Sequence, residues 1–235
     1  MKCAIVTGAG SGIGRETARL LAREDFAVVL VGRTEATLRE TAELIRGESP
    51  RAKATAMPTD VADPEAVATL VHGVIEEHGR IDALCHVAGY APLNPLTENT
   101  YENWRACIDI NLTAIVMLTR EVFPHMQKQG GGTIVNVSSM ASFDPFPGFS
   151  MYASAKAAVN MFTRCTADEG RDHNIHAVGV APGAVETGML RKLFPKDKLP
   201  ESSTLDPADV AQLIVDCATG KREYQPGETI QMPSG

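Results

Sequence analysis

The chain has 235 residues, 44% hydrophobic and 22% charged, which suits one large α/β domain able to bury roughly 70% of the surface its unfolded form exposes. A formal net charge of −7 leaves no basic excess to displace counterions from phosphates, and aromatics at 5% offer no stacking strip, so nucleic acid is not an expected partner. Five scattered cysteines without a C-x-x-C pair, no targeting segment and no membrane-length apolar run make the expected setting the cytoplasm, away from membranes and without metal ligation.

The first apolar run, Lys2–Thr7, reads as a strand and leads directly into Thr7-Gly8-Ala9-Gly10-Ser11-Gly12-Ile13-Gly14 and a helix over about Gly12–Glu24. Glycines at 8, 12 and 14 permit a tight turn in which a pyrophosphate meets the N–H groups of a helix start, where the dipole favours negative charge. A second strand, Ala27–Val31, ends in Gly32-Arg33-Thr34, with no carboxylate until Glu35. A carboxylate there would hold an adenosine 2′-hydroxyl and repel a 2′-phosphate. Arg33 can pair with that phosphate instead, so NADP(H) is expected in preference to NAD(H). A helix at Glu35–Arg46 and a third strand at Lys53–Met57 follow. Asp60, in Thr59-Asp60-Val61, is placed to accept a hydrogen bond from an adenine amino group, although alone such a residue is more often a turn or cap.

Asp63-Pro64 sets a capping carboxylate and a proline ahead of a helix at Pro64–Glu77, and Asp206-Pro207 repeats the device before Pro207–Cys217. The fourth strand, Ala83–Val87, runs into Ala88-Gly89. One long helix is expected over Tyr101–Lys128, closed by Gly130-Gly131-Gly132 before a fifth strand at Thr133–Val137. Ser139 follows that strand. Tyr152 and Lys156 stand four apart at the start of a helix at Met151–Arg171, so they share one face. An ammonium stabilises a phenolate, and lowering a tyrosine pKa by ~2–3 units takes about 3–4 kcal/mol, within reach of the lysine plus a cationic nicotinamide. Tyr152 is thus expected to serve as general acid for carbonyl reduction and general base for alcohol oxidation, with Ser139 polarising the substrate oxygen.

Strands at His176–Val180 and Glu228–Met232 complete a Rossmann-like, doubly wound parallel sheet of about seven strands with helices on both faces, in a single domain over 1–235. The irregular stretch 188–205, with helical turns near Met189–Leu193, reads as a substrate flap. Its Arg191, Lys192, Lys196 and Lys198 form either a solvated face, the simpler account, or a lure for an anionic substrate. Phe143, Phe146 and Phe149 either line a hydrophobic or aromatic pocket or anchor their loop to the core.

These segments together resemble the short-chain dehydrogenase/reductases over essentially the whole chain. The glycine turn through Gly14 matches that family's cofactor signature, Val135-Asn136-Val137-Ser138-Ser139 its serine segment, and Tyr152-Ala153-Ser154-Ala155-Lys156 its Tyr-x-x-x-Lys element. Pro182-Gly183, Val185 and Thr187 fall in the segment that contacts the nicotinamide end. The resemblance implies a fourth catalytic position at Asn111, helping to hold a proton-relay water near the lysine, and close backbone approach to the cofactor at Ala88 and Gly89. It implies a small-molecule carbonyl or alcohol substrate and a homotetramer or homodimer built through the helices holding Asn111 and Tyr152.

Two departures stand out. The family usually carries Asn-Asn-Ala-Gly where this chain has His86-Val87-Ala88-Gly89, and the imidazole reads as a packed core group rather than a base. Ser142 stands where glycine is common. Relatives acting on acyl carrier proteins tend to be basic near Gly130 and His173, so that substrate class is not expected. The competing class of function, an NADP-binding sensor without turnover, would be expected to lose the tyrosine or the lysine, and this chain keeps both.

Overall fold

Seven parallel strands form one sheet in the order β3-β2-β1-β4-β5-β6-β7 in a computed structural model that describes residues 1–235. The strands are β1 Lys2–Thr7, β2 Phe26–Gly32, β3 Ala54–Pro58, β4 Ala83–His86, β5 Gly132–Val137, β6 Ile175–Pro182 and β7 Thr229–Met232. Each lies within two residues of its expected bounds, because continuous apolar runs are what a strand covered on both faces requires. The helices are α1 Gly12–Arg23, α2 Glu35–Glu48, α3 Pro64–His78, α4 Tyr101–Ile108, α5 Ala114–Gln129, α6 Ser150–Gly170, α7 Gly188–Leu193 and α8 Pro207–Thr219.

Strand side chains alternate between two cores. Ala4, Val6, Val28, Leu30, Val135 and Val178 pack beneath α1, α2 and α8, whereas Cys3, Ile5, Val29, Leu84, Ile134 and Ala177 pack beneath α3, α5 and α6. Cys3 and Cys85 are fully buried and behave as small hydrophobes, their thiols pushed up to about 12 chiefly by burial. Both expected caps form: Asp63 Oδ1 accepts from the N–H groups of Glu65 and Ala66, and Asp206 Oδ1 accepts from that of Ala208.

The expectation of one regular helix over Tyr101–Lys128 needs correction. A π-helical turn at Asp109–Thr113 separates α4 from α5 and places Asn111 fully inside the protein. The stretch 188–205 is also more ordered than its composition suggests. It opens with α7, carries a 3₁₀ turn at Glu201–Ser203, and is pinned at its base by bonds from Leu205 N to Ala184 O and from Glu186 N to Leu205 O.

Candidate active site

Between β1 and β4 the strand order reverses, and outside the carboxyl ends of the strands lies a cleft of about 780 Å³. Every strand supplies part of its wall. The turn after β1 contributes Gly8, Ser11, Gly12, Ile13 and Gly14, and the end of β2 contributes Arg33 and Thr34. Asp60 and Val61 follow β3, Ala88 and Gly89 follow β4, and Ser139 follows β5. Pro182, Gly183, Val185 and Thr187 line it from β6 onward, and Ser234 from beyond β7. Tyr152 and Lys156 enter from α6. Of the residues expected to take part in catalysis or cofactor binding, Asn111 alone is not in the wall.

Local chemistry explains the glycine turn. Gly8 and Gly12 have positive φ values of 70° and 52°, and a Cβ on Gly14 would stand 2.2 Å from the Gly8 carbonyl oxygen. Ser11 precedes α1 in extended geometry without a side-chain cap, which leaves the helix start to other acceptors. The turn is braced from behind, as Thr41 Oγ1 donates to Ala9 O at 2.9 Å and Arg15 Nη2 to Gly10 O at 2.7 Å. Thr7 Oγ1 accepts from the N–H groups of Val87 and Ala88, tying the turn to the loop after β4. Such a cradle, open where any side chain would fill it, fits a pyrophosphate. At its far end Arg33 is exposed and makes no ion pair, while the nearby Glu35 is taken by Arg39 at 2.5 Å. Asp60 does form the turn that was the plainer reading, accepting from Ala62 N at 3.0 Å, while still lining the cleft.

Tyr152 and Lys156 do project to one place. The Lys156 ammonium donates to Val137 O at 2.7 Å and stands 5.7 Å from the centroid of the Tyr152 ring. In the chain itself burial dominates the acidity of both. Burial pushes the Tyr152 phenol up to about 12, with the Ser139 hydroxyl working against it, and burial pulls Lys156 down to about 8. The ammonium is directed at a backbone carbonyl, and desolvation is the largest influence on both groups.

Asn111 is held by three hydrogen bonds to the backbone. Its Oδ1 accepts from Tyr90 N at 3.1 Å, and its Nδ2 donates to Tyr90 O at 2.6 Å and to Cys107 O at 2.8 Å. The amide clamps the loop after β4 onto the π turn, with one acceptor site of Oδ1 still open. His86 is 2% exposed, its Nε2 lies 3.1 Å from Thr119 Oγ1, and burial pulls its pKa down to about 3, as befits a core group.

Ser142 has a partner set of its own. Its hydroxyl donates to Ser139 O at 2.6 Å and accepts from Asn160 Nδ2 at 2.9 Å, while Asn160 Oδ1 accepts from Ser138 Oγ at 2.5 Å. On the substrate side Phe146 and Phe149 line the cleft, Phe143 does not, and Phe194 joins them from beyond α7. Nothing in the sequence linked Phe194 to the others, since the contact is made across the fold. The flap's cations are partly spent: Arg191 pairs with Glu186 and donates to Phe194 O and Leu199 O, and Lys196 pairs with Glu201 at 2.6 Å. That leaves less free charge to act as a lure for an anionic substrate.

Comparisons with known proteins agree with this geometry. The family model for short chain dehydrogenase matches residues 2–198. The chain is 36% identical to the short-chain reductase protein NovJ of Streptomyces niveus, over 99% of this chain and 92% of that protein. It is 33% identical to the 3-oxoacyl-[acyl-carrier-protein] reductase FabG of Thermotoga maritima, over 100% and 97% of the two chains. Among solved structures, a candidate NAD(P)-dependent gluconate 5-dehydrogenase from Beutenbergia cavernae, with NADP bound at low occupancy, superposes with a TM-score of 0.91 at 31% identity, over 99% of this chain and 95% of that one. Sequence, fold and cleft therefore converge: the chain belongs to the short-chain dehydrogenase/reductase family of oxidoreductases.

Proposed function

We propose that the protein transfers a hydride between NADP(H) and a small-molecule carbonyl or alcohol, with Tyr152 as the proton-transfer residue. The observation that carries this reading is that Ser139, Tyr152 and Lys156 line the same cleft as the glycine turn and the unpaired Arg33. When bound, the nicotinamide supplies or accepts the hydride and, in its oxidised form, adds a positive charge beside the phenol.

The chain's own groups divide the remaining work. The Tyr152 phenol, protonated at neutral pH, is in the form that donates to a carbonyl oxygen, to which Ser139 also donates. Lys156, at about 8, is still charged at neutral pH and orients the tyrosine's surroundings from the Val137 carbonyl. Asn111 acts as a positioning residue, fixing the Gly89–Tyr90 loop. Arg33 holds the 2′-phosphate and Asp60 flanks the adenine. The resemblance to FabG, a relative that acts on a carrier-bound ketone by its name, and the NADP in the gluconate dehydrogenase neighbour are compatible with this chemistry. All four catalytic positions are filled, which favours an enzyme over a sensor without turnover.

The test is oxidation of NADPH and NADH followed at 340 nm across a panel of ketones, quinones and alcohols. Tyr152→Phe is expected to lower kcat by roughly 10²- to 10⁴-fold, and Arg33→Asp to shift preference towards NADH. A wild-type preference for NADH would overturn the assignment of Arg33, and an undiminished Tyr152→Phe would overturn that of the tyrosine. We also infer assembly as a homotetramer or homodimer through α4, α5 and α6, supported by exposed Tyr101 and Trp104 on α4 and Met161 on α6, in a reducing cytoplasmic setting.

A further inference from the structure

We infer that the substrate of this cleft is an aryl ketone, or the corresponding secondary aryl carbinol, whose ring is held by an aromatic wall that begins at Tyr152. The inference deepens the hydride-transfer reading and rests on it for the reaction, though not for binding.

Four rings make a continuous surface. The Phe149 centroid lies 5.5 Å from that of Tyr152, Phe146 lies 5.9 Å from Phe149, and Phe194 stands edge-on to both, at 6.2 Å from Phe149 and 5.7 Å from Phe146. These are the separations and tilts in which aromatic quadrupoles attract. Phe149 is set by the start of α6 and Phe194 by the end of α7, so two distant segments bring their rings together at the same wall.

The wall is not a closed core. Phe146 is 52% exposed and Met189 is 45% exposed, and both line the cleft. Apolar faces left open inside a cleft are satisfied by a ligand that covers them. The nearest ring is one stacking distance from the Tyr152 ring, so a substrate whose apolar body adjoins the carbonyl that Tyr152 protonates would meet the wall. A flat ring suits this place better than a chain, because it loses little freedom on binding and presents an edge or face to Phe149 and Phe146. Charge gives no competing signal: Asp144 and Lys198 line the cleft with opposite signs, and the Arg191 and Lys196 heads are already paired.

In the reduction, the carbonyl π bond breaks, a hydride equivalent from the reduced nicotinamide forms the new C–H bond, and the Tyr152 proton forms the O–H bond. The nicotinamide is oxidised and the aryl ketone reduced to the carbinol.

The experiment compares phenyl methyl ketone and para-substituted phenyl ketones with cyclohexyl methyl ketone, a saturated ring of similar size, using NADPH. The expected result is a KM roughly three- to tenfold lower for the aryl ketones, the range of an aromatic contact beyond its burial. Phe146→Leu, at a half-exposed site where folding is not at risk, is expected to raise the aryl KM more than the cyclohexyl KM, narrowing the discrimination between them. Phe194→Leu should act in the same sense, and Phe194→Tyr should restore the discrimination. Equal KM values for both ketone classes in the wild type, or an aryl preference untouched by Phe146→Leu, would overturn the inference. Calorimetric binding of benzamide against cyclohexanecarboxamide, in the presence of NADP⁺, separates the two readings. Aryl-selective binding without turnover of any ketone would sink hydride transfer and keep the wall. Turnover without aryl selectivity would do the reverse.

Discussion

Protonation in this site is decided by burial before it is decided by neighbours. Lys156 is 3% exposed and is pulled from 10.5 to about 8, so the folded protein carries a desolvation cost whenever the lysine is charged. That cost is fully present below pH 8 and is relieved as pH rises from 8 towards 10.5, where the folded chain sheds a proton that the unfolded chain keeps. Lys156→Met is therefore expected to abolish turnover yet stabilise the fold at pH 7. The gain should be about 1–2 kcal/mol after the lost bond to Val137 O, and should shrink as pH approaches 10 in denaturant titrations. His86 gives the acid counterpart. Its pKa falls from 6.5 to about 3, so between those values the unfolded chain binds a proton that the folded chain refuses, and stability drops on acidification. His86→Asn, the residue usual in the family, should lose about 2 kcal/mol less than the wild type between pH 7 and pH 5, read from urea midpoints. The identities and spacing of Tyr152 and Lys156 were plain in the sequence. Their acidities were not, because burial and the direction of the ammonium depend on β5 and on the loop that follows it.

At the scale of elements, the loop after β5 is fastened to α6 by Ser138, Ser142 and Asn160, and this fastening sets where Ser139 stands. Ser142→Gly would remove the bonds to Ser139 O and from Asn160. The expected outcome is a loss of about 1–2 kcal/mol in stability and a several-fold fall in kcat with a smaller change in KM, measured by denaturation and steady-state kinetics. Equal kcat in the variant would show that Ser139 holds its position without the latch. Strands were the most legible elements, since continuous apolar runs such as Phe26–Gly32 admit little else in a chain with this alternation. The π turn was invisible because Asp109-Ile110-Asn111-Leu112-Thr113 keeps ordinary helical periodicity. What accompanies the widening is a tertiary demand, the clamp from Asn111 to Tyr90. Phe194 was missed for a related reason: its partners lie across the fold, and short-range patterns carry no trace of them.

For the whole molecule, thiol accessibility offers a reporter. Cys3, Cys85, Cys107 and Cys217 are buried and Cys165 is exposed. Cys165 lies one turn beyond Met161 on the α6 face proposed to meet a second copy. Labelling of dilute native protein is expected to modify one thiol rapidly, and that rate should fall as protein concentration rises into the range where copies assemble. A rate independent of concentration would move the interface off α6. The cleft carries a further consequence for how the molecule persists in a cell. Its walls are drawn from the termini of all seven strands, from the glycine turn after β1 to Ser234 beyond β7. No half-paired sheet presents more than a fraction of the dinucleotide cradle, so the affinity of the finished protein is not shared by its partly folded forms. A circulating pool of nucleotide at a hundred times its dissociation constant would then add about 2.7 kcal/mol to the native state alone, making the metabolite a ballast against unfolding as well as a reagent.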